Sequence, residues 1–313
     1  MSKTMSNLLR AVGVMILFAG AIVPVNAQPS SDAENVLKEA RVAWDTYLQK
    51  ITKSCELECK TTQKESGKIT AEQTTRLVYL APFFVSESTS SKDQEGAKGY
   101  NPKYAFSIKK HSQGNWEVTD ITPSNQLSGE YRVFFPDVSN AEENQKTRAR
   151  FTVPILVAGL KLTSFDLLPV ISSKPEFKIL DTKNETVGGE KIVCLVYSYE
   201  PKKDIPNQLA RSGEVSLMPD KYWLIKTAKV QCIEPGQKER PIASIENEYV
   251  INDVGMPLIK RHTMIVHGAG LDNFTTDVDY AYYRSPAKDL PKNRLTLLHY
   301  GLPEPGGSAS GKQ

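Results

Sequence analysis

Beyond Thr52 the hydrophobic period of the chain changes from helical to two, and a chain that keeps that period over most of its length is confined to a sheet-dominated fold. In the first such stretch Cys55, Leu57 and Cys59 alternate with Glu56, Glu58 and Lys60. The pattern is cleanest at Phe274–Tyr283, where Phe274, Thr276, Val278, Tyr280 and Tyr282 oppose Thr275, Asp277, Asp279, Ala281 and Tyr283. Further strand-like runs are Thr74–Leu80, Phe83–Ser88, Tyr104–Lys109, Asn115–Ile121, Tyr131–Phe135, Phe177–Asp181, Lys191–Glu200, Gly213–Leu217, Tyr222–Ile233, Ile242–Asn252, Leu258–His267 and Arg294–Tyr300. Turn signals separate them, among them Gly188-Gly189 and the Pro-Asp pair Pro219-Asp220. Ser86–Lys103 is polar and reads as a mobile loop. The runs from Lys191 and Tyr222 are apolar on both faces, so both faces are expected to be covered; most others are one-sided, as in an antiparallel sheet with one face in water.

Helical signals are fewer. Ser31-Asp-Ala-Glu34 is a capping box, opening a helix to about Ile51. Val36, Leu37, Ala40, Trp44, Tyr47, Leu48 and Ile51 form its apolar stripe. Ser139-Asn-Ala-Glu142 is a second capping box, with a helix expected to about Thr152 because Pro154 disfavours helical geometry at Val153. Ile155–Val170 is apolar and is expected to form one or two short helices capping the sheet. One helix is ~10 Å across and strands lie ~4.8 Å apart, so each helix covers about two strands. More than ten candidate strands therefore leave apolar sheet surface uncovered. That surface is hidden by curling the sheet, by stacking it into a sandwich, or by holding an apolar ligand.

The first 27 residues have the order of a secretory signal, with Lys3 and Arg10 ahead of an apolar run from Ala11 to Val23, and cleavage expected after Ala27. That run is short of the ~20 residues that span a bilayer. No second long apolar stretch follows, so no transmembrane segment is expected in the mature chain. The expected organisation is a signal peptide 1–27, one curved-sheet domain 28–305 and a flexible tail 306–313. The expected location is the periplasm or cell exterior. Loss of Lys3 and Arg10 takes the formal charge from +3 to +1, and with no Lys/Arg block there is no electrostatic footprint for nucleic acid.

An exported chain permits disulfides, and Cys55, Cys59, Cys194 and Cys232 are the candidates. Residues four apart on a strand are ~13 Å apart, so a Cys55–Cys59 bridge requires a bulge. Buried free thiols are the plain alternative. No catalytic motif emerges. Gly306–Lys312 matches seven P-loop positions without the strand and helix that such a loop needs, and His267-Gly-Ala-Gly270 lacks the third glycine of a dinucleotide fingerprint. His262 and His267 differ by an odd number and face opposite ways on a regular strand. Asp277 and Asp279 have a spacing compatible with glycosidase carboxylates, yet an exposed polar strand face accounts for them more simply. No cofactor or metal is expected, and no enzyme.

The layout resembles the exported lipoprotein-carrier superfamily, the Lol-type proteins. The stretches that carry the likeness are the helix Ala33–Ile51, the strand Ile51–Thr62, the hairpin Val215–Ile225, and Glu248-Tyr249 followed by Gly255–Lys260. The ending Tyr300-Gly-Leu-Pro-Glu-Pro305 is similar to that of a group of uncharacterised exported bacterial proteins. The resemblance implies a mainly β (α+β) fold, a large curved antiparallel sheet or unclosed β-barrel with an N-terminal helix and a mid-chain helical plug. It also implies a non-enzymatic protein that holds a lipid, acyl chain or lipidated partner inside the sheet. On that reading the inward side chains Leu57, Leu77, Tyr79, Phe106, Trp116, Tyr249 and Tyr280 line the pocket. The alternative is an envelope structural or interaction protein with a filled core and no ligand.

Overall fold

The computed structural model describes residues 31–51, 54–80, 83–90, 95–124, 158–163, 166–200, 210–232, 242–267, 274–284 and 291–306. The strand expected at 131–135 and the helix expected over 139–152 lie outside them. Helix α1 is Ser31–Ile51, followed by β1 (Ser54–Glu65), β2 (Lys68–Leu80), β3 (Phe83–Ser90), β4 (Glu95–Tyr100), β5 (Tyr104–Lys110) and β6 (Trp116–Pro123). A 3-10 turn at Ala158–Leu160 and the short helix α2 (Leu168–Ser172) come next. The second series is β7 (Phe177–Val187), β8 (Glu190–Tyr199), β9 (Ala210–Met218), β10 (Leu224–Cys232), β11 (Ile242–Ile251), β12 (Pro257–His267) and β13 (Phe274–Arg284).

All thirteen strands belong to one sheet, in the order β6-β5-β4-β3-β2-β1-β13-β12-β11-β10-β9-β8-β7. Each neighbouring pair is antiparallel, so the fold is two meanders joined where β1 pairs with β13. The end strands β6 and β7 do not pair with each other, and the sheet stays open. Two-residue turns set the register locally. Ser66-Gly67 and Gly188-Gly189 both have positive φ at both positions, the twist that matches right-handed strands.

The sheet curls around α1. One apolar core unites the buried stripe of the helix (Ala40, Trp44, Tyr47, Leu48, Ile51) with inner-face residues from β7 through β12. Six flat strands are about 24 Å wide, more than twice the breadth of a helix, so those strands must wrap it. Leu160, Leu162, Leu168 and Ile171 join the same core, placing the apolar segment after residue 157 against the sheet as expected. The β9–β10 turn is docked on the helix. The Trp44 indole Nε1 donates to the Trp223 carbonyl at 2.8 Å, and Lys50 donates to the Tyr222 hydroxyl at 2.7 Å. Tyr222 and Trp223 are left-handed, at φ 57° and 55°, so β10 starts at Leu224 rather than at Tyr222. That conformation costs roughly 1–3 kcal/mol per residue, and the contacts to α1 hold it.

A second core lies on the opposite face. Register carries Leu77 to Ser86 but Val78 to Val85, and then Val85 to Gly99 and Gly99 to Phe106. Val78, Val85, Ala97, Phe106 and Ile108 therefore share the outer face, and Leu295 and Leu297 cover them. Arg294–Tyr300, expected as a strand, instead forms two 3-10 turns, Lys292–Leu295 and Leu297–Tyr300. Polar groups tie this segment down. Asn101 Nδ2 donates to the Leu295 carbonyl, the Leu297 amide donates to the Tyr104 hydroxyl, and the Tyr300 hydroxyl donates to Glu87. Tyr104 also donates to Glu304, and Leu302 packs on the outer core, so the Pro-rich ending is anchored as far as Glu304. The Ser86–Lys103 expectation is likewise corrected: β3 runs on to Ser90 and β4 fills Glu95–Tyr100.

Candidate functional site

β1 points Cys55, Leu57 and Cys59 to the inner face, and their register partners on β2 are Tyr79, Leu77 and Thr75. On the other side Cys59 pairs with Tyr280 and Thr61 with Val278. Cys55, Leu57, Cys59, Leu77 and Tyr79 form a third apolar cluster, with Phe84, Val278 and Tyr280 packed against it. It differs from those two cores in its membership: among the described residues every member comes from a strand. Leu57 and Leu77 are 0% exposed and Tyr79 7%, so in this state the surface is shut from water. Each leucine contributes roughly 1.5–3 kcal/mol by that burial.

The cluster borders a polar seam on the same face. Val278 pairs with His262, which pairs with Asn247. His262 Nδ1 lies 2.8 Å from Asn247 Oδ1, and Asn247 Nδ2 donates to the Ile225 carbonyl at 2.8 Å. The Tyr249 hydroxyl donates to the same carbonyl at 2.7 Å. The ladder shifts register between Ile225 and Thr227, which frees that carbonyl from regular pairing for the two side chains. Gly159 belongs here because a Cβ would stand 2.7 Å from the Tyr249 hydroxyl oxygen.

Lys161 enters the seam from above. It follows the 3-10 turn, bridges to Leu167, and stands between Leu160 and Leu162, both wholly buried in the helix-covered core. The residue is half-buried, and its ammonium lies deep in the fold near Cys59 and His262. Burial pushes the ammonium down to about 8. Burial, with the Glu58 carboxylate second, pushes the Cys59 thiol up to about 11. Burial, with Lys161 second, pushes His262 down to about 4. Burial also raises the Tyr249 and Tyr280 phenols. At neutral pH these neighbours of Lys161 carry no charge.

The seven pocket residues expected from the sequence fall into groups. Leu57, Leu77, Tyr79 and Tyr280 come together in the all-strand cluster. Tyr249 lies beside it in the polar seam, packed against the helix-covered core. Phe106 and Trp116 belong to the outer-face core, under the C-terminal segment, and share no surface with the others. Lys161 and Asn247 were not singled out, and His262 was weighed only with His267 and set aside. A signal existed for the first: from Ile155 to Val170 the only charges are Lys161 and Asp166. Asp166 has a positional explanation, since it accepts from Thr163 Oγ1 and the Ala210 amide, both at 2.8 Å.

Cys55, Cys59 and Cys194 are buried free thiols in this structure, the plain alternative to disulfides, and the Cys232 side chain lies outside the described residues. Among the described residues no three His, Cys, Asp or Glu groups converge as a metal site. No described helix is long and apolar enough to cross a membrane. Asp277 is not part of an exposed face: it is 6% exposed and bound by Lys64 at 2.9 Å and Thr263 at 2.8 Å. Burial works against its charge, but those two partners outweigh it and hold the carboxyl below its ordinary value. Asp279 is exposed and lies 3.7 Å from Arg261. Two depressions lie on the outer face: one of about 350 Å³ with a mixed lining that includes Glu214, Ser216, Lys229, Glu246, Ile245 and Ile265, and a smaller polar one of about 250 Å³ edged by Glu87, Glu95 and His299.

No protein-family model matches the chain. No curated protein matches it either. Among solved structures it is similar to a putative outer membrane lipoprotein-sorting protein domain from Vibrio parahaemolyticus, at 10% identity and a TM-score of 0.44 over 84% of this chain and 97% of that one. It is similar to a LolA superfamily protein from Nitrosomonas europaea at 11% identity and a TM-score of 0.38, over 84% and 97% of the two chains. A third likeness is to lipoprotein LppX from Mycobacterium tuberculosis, at 10% identity and a TM-score of 0.27, over 82% and 100%.

Proposed function

We propose that this is an exported, non-catalytic binding protein that shelters an acyl chain, as a free lipid or on a lipidated partner, against the inner face of β13, β1 and β2. One observation carries the reading: among the described residues the cluster of Leu57, Leu77, Tyr79, Val278 and Tyr280 is made of strand side chains, inside an open-edged sheet that already curls around a helix. A flat apolar surface of several strands suits a flexible hydrocarbon, which needs contact area and no directional partner.

The competing reading, a filled core with function on the outer face, draws on the near-complete burial of Leu57 and Leu77. Uptake of a fluorescent hexadecanoic acid separates the two. Binding is expected to saturate and to be reversed by unlabelled hexadecanoate. Leu77→Trp, which fills the inner surface, is expected to weaken uptake by about tenfold or more, whereas Ile108→Val in the outer core leaves it unchanged. Absence of saturable uptake, or equal loss from both substitutions, contradicts the proposal.

A further inference from the structure

Lys161 is the group that the packing does not explain. Its stem leaves the chain between two leucines of the helix-covered core, and its ammonium ends beside the all-strand cluster. No hydrogen bond or ion pair joins it to a described carboxylate, and the nearby Asp166 is committed to Thr163 and Ala210. The groups that face it are the Cys59 thiol, the His262 imidazole and, on the strand between them, Tyr280. An ammonium set deep among uncharged groups, with no described carboxylate beside it, loses hydration without gaining a counter-charge, a cost that an apolar side chain of similar length does not carry. The feature therefore has the form of half an ion pair.

We propose that Lys161 is the anion-binding group of the inner compartment, holding the carboxylate or phosphate head of a single-chain amphiphile whose tail lies along Leu57, Leu77 and Tyr280. This rests on the acyl-binding reading above and adds the head-group chemistry to it. The position suits the role. Lys161 stands over the β12–β13–β1 part of the inner face, at the boundary between the helix-covered core and the all-strand cluster. A head group anchored there sends its tail away from α1 and toward β2. Asn247 and His262 are already paired, so they steady the floor of the seam and leave the ammonium as the recognising group.

The test is displacement of the uncharged fluorophore N-phenyl-1-naphthylamine from the purified protein by dodecanoate, dodecyl phosphate and dodecan-1-ol. Wild type is expected to bind one or both anions at least about tenfold more tightly than the alcohol, the scale of a hydrogen-bonded pair with a charged group; which anion is preferred identifies the head group. Lys161→Met and Lys161→Gln are expected to keep fluorophore and alcohol binding and to lose the preference, and Lys161→Arg to keep it. Equal binding of alcohol and anions by wild type overturns the assignment to Lys161 and leaves acyl binding standing, without requiring any variant to fold. A preference that survives in a folded Lys161→Met or Lys161→Gln overturns it as well. Failure of the fluorophore and all three ligands to bind overturns the acyl-binding reading and this one with it.

Discussion

His262 sits on the inner face of a curled sheet, where an imidazole is hydrogen-bonded to Asn247 and held neutral. Its folded value, about 4, is below the ordinary 6.5, so the unfolded chain takes up the proton first as the pH falls. The stability associated with the neutral ring is complete above pH ~6.5 and is lost progressively toward pH 4, by about 3 kcal/mol. Urea unfolding at pH 7 and pH 4.5 measures it. His262→Gln is expected to remove that part of the pH dependence, and an unchanged slope in the variant contradicts the assignment. At this scale the sequence was partly legible. Leu57, Leu77, Tyr79 and Tyr280 were readable as one inner surface because strand alternation fixes the face once register is known. Lys161 was not, because its segment has no period that says which way a side chain points.

β4 shows where reading by period fails for an element. Glu95–Tyr100 carries little apolar mass of its own, and its outer-face positions are Gly99 and Ala97. They are small because Phe106 of the next strand lies over them: a Cβ on Gly99 would meet the Phe106 ring at 2.4 Å and Val85 at 2.9 Å. The apolar signal of β4 is supplied by a neighbour, so the strand reads as a polar loop. Gly99→Ala is expected to force the ring outward and destabilise the protein by about 1–3 kcal/mol in chemical unfolding; a neutral result contradicts this packing. The segment Arg294–Tyr300 fails in the opposite sense. Leu295 and Leu297 are two apart, as in a strand, yet extended Thr296 separates two short 3-10 turns that place both leucines on the outer core. The turn at Tyr222-Trp223 makes a third prediction. Trp44→Phe removes the hydrogen bond to the Trp223 carbonyl, which fixes the left-handed turn, and is expected to cost roughly 1–3 kcal/mol in the same measurement. A change within a few tenths of a kcal/mol contradicts it.

The whole molecule answers the surplus of apolar strand surface in three ways. α1 and the segment after residue 157 cover the inner face of β7 to β12, and the C-terminal 3-10 turns cover the outer face at the other end of the sheet. Between them, β13, β1 and β2 present an inner surface whose described members are all strand residues. The sheet was legible because alternation is a property of each strand by itself, whereas its open, curled form was implied only by the resemblance. The assignment of faces to covers was not, since it depends on which turn crosses which face. Acyl binding at the third surface is the central claim, and native mass spectrometry tests it most directly. Protein freed of lipid by organic extraction, refolded and mixed with excess hexadecanoate is predicted to carry one fatty acid per chain, with Leu77→Trp losing the adduct. Protein that stays at its unliganded mass under those conditions, or Leu77→Trp that keeps the adduct, contradicts the account.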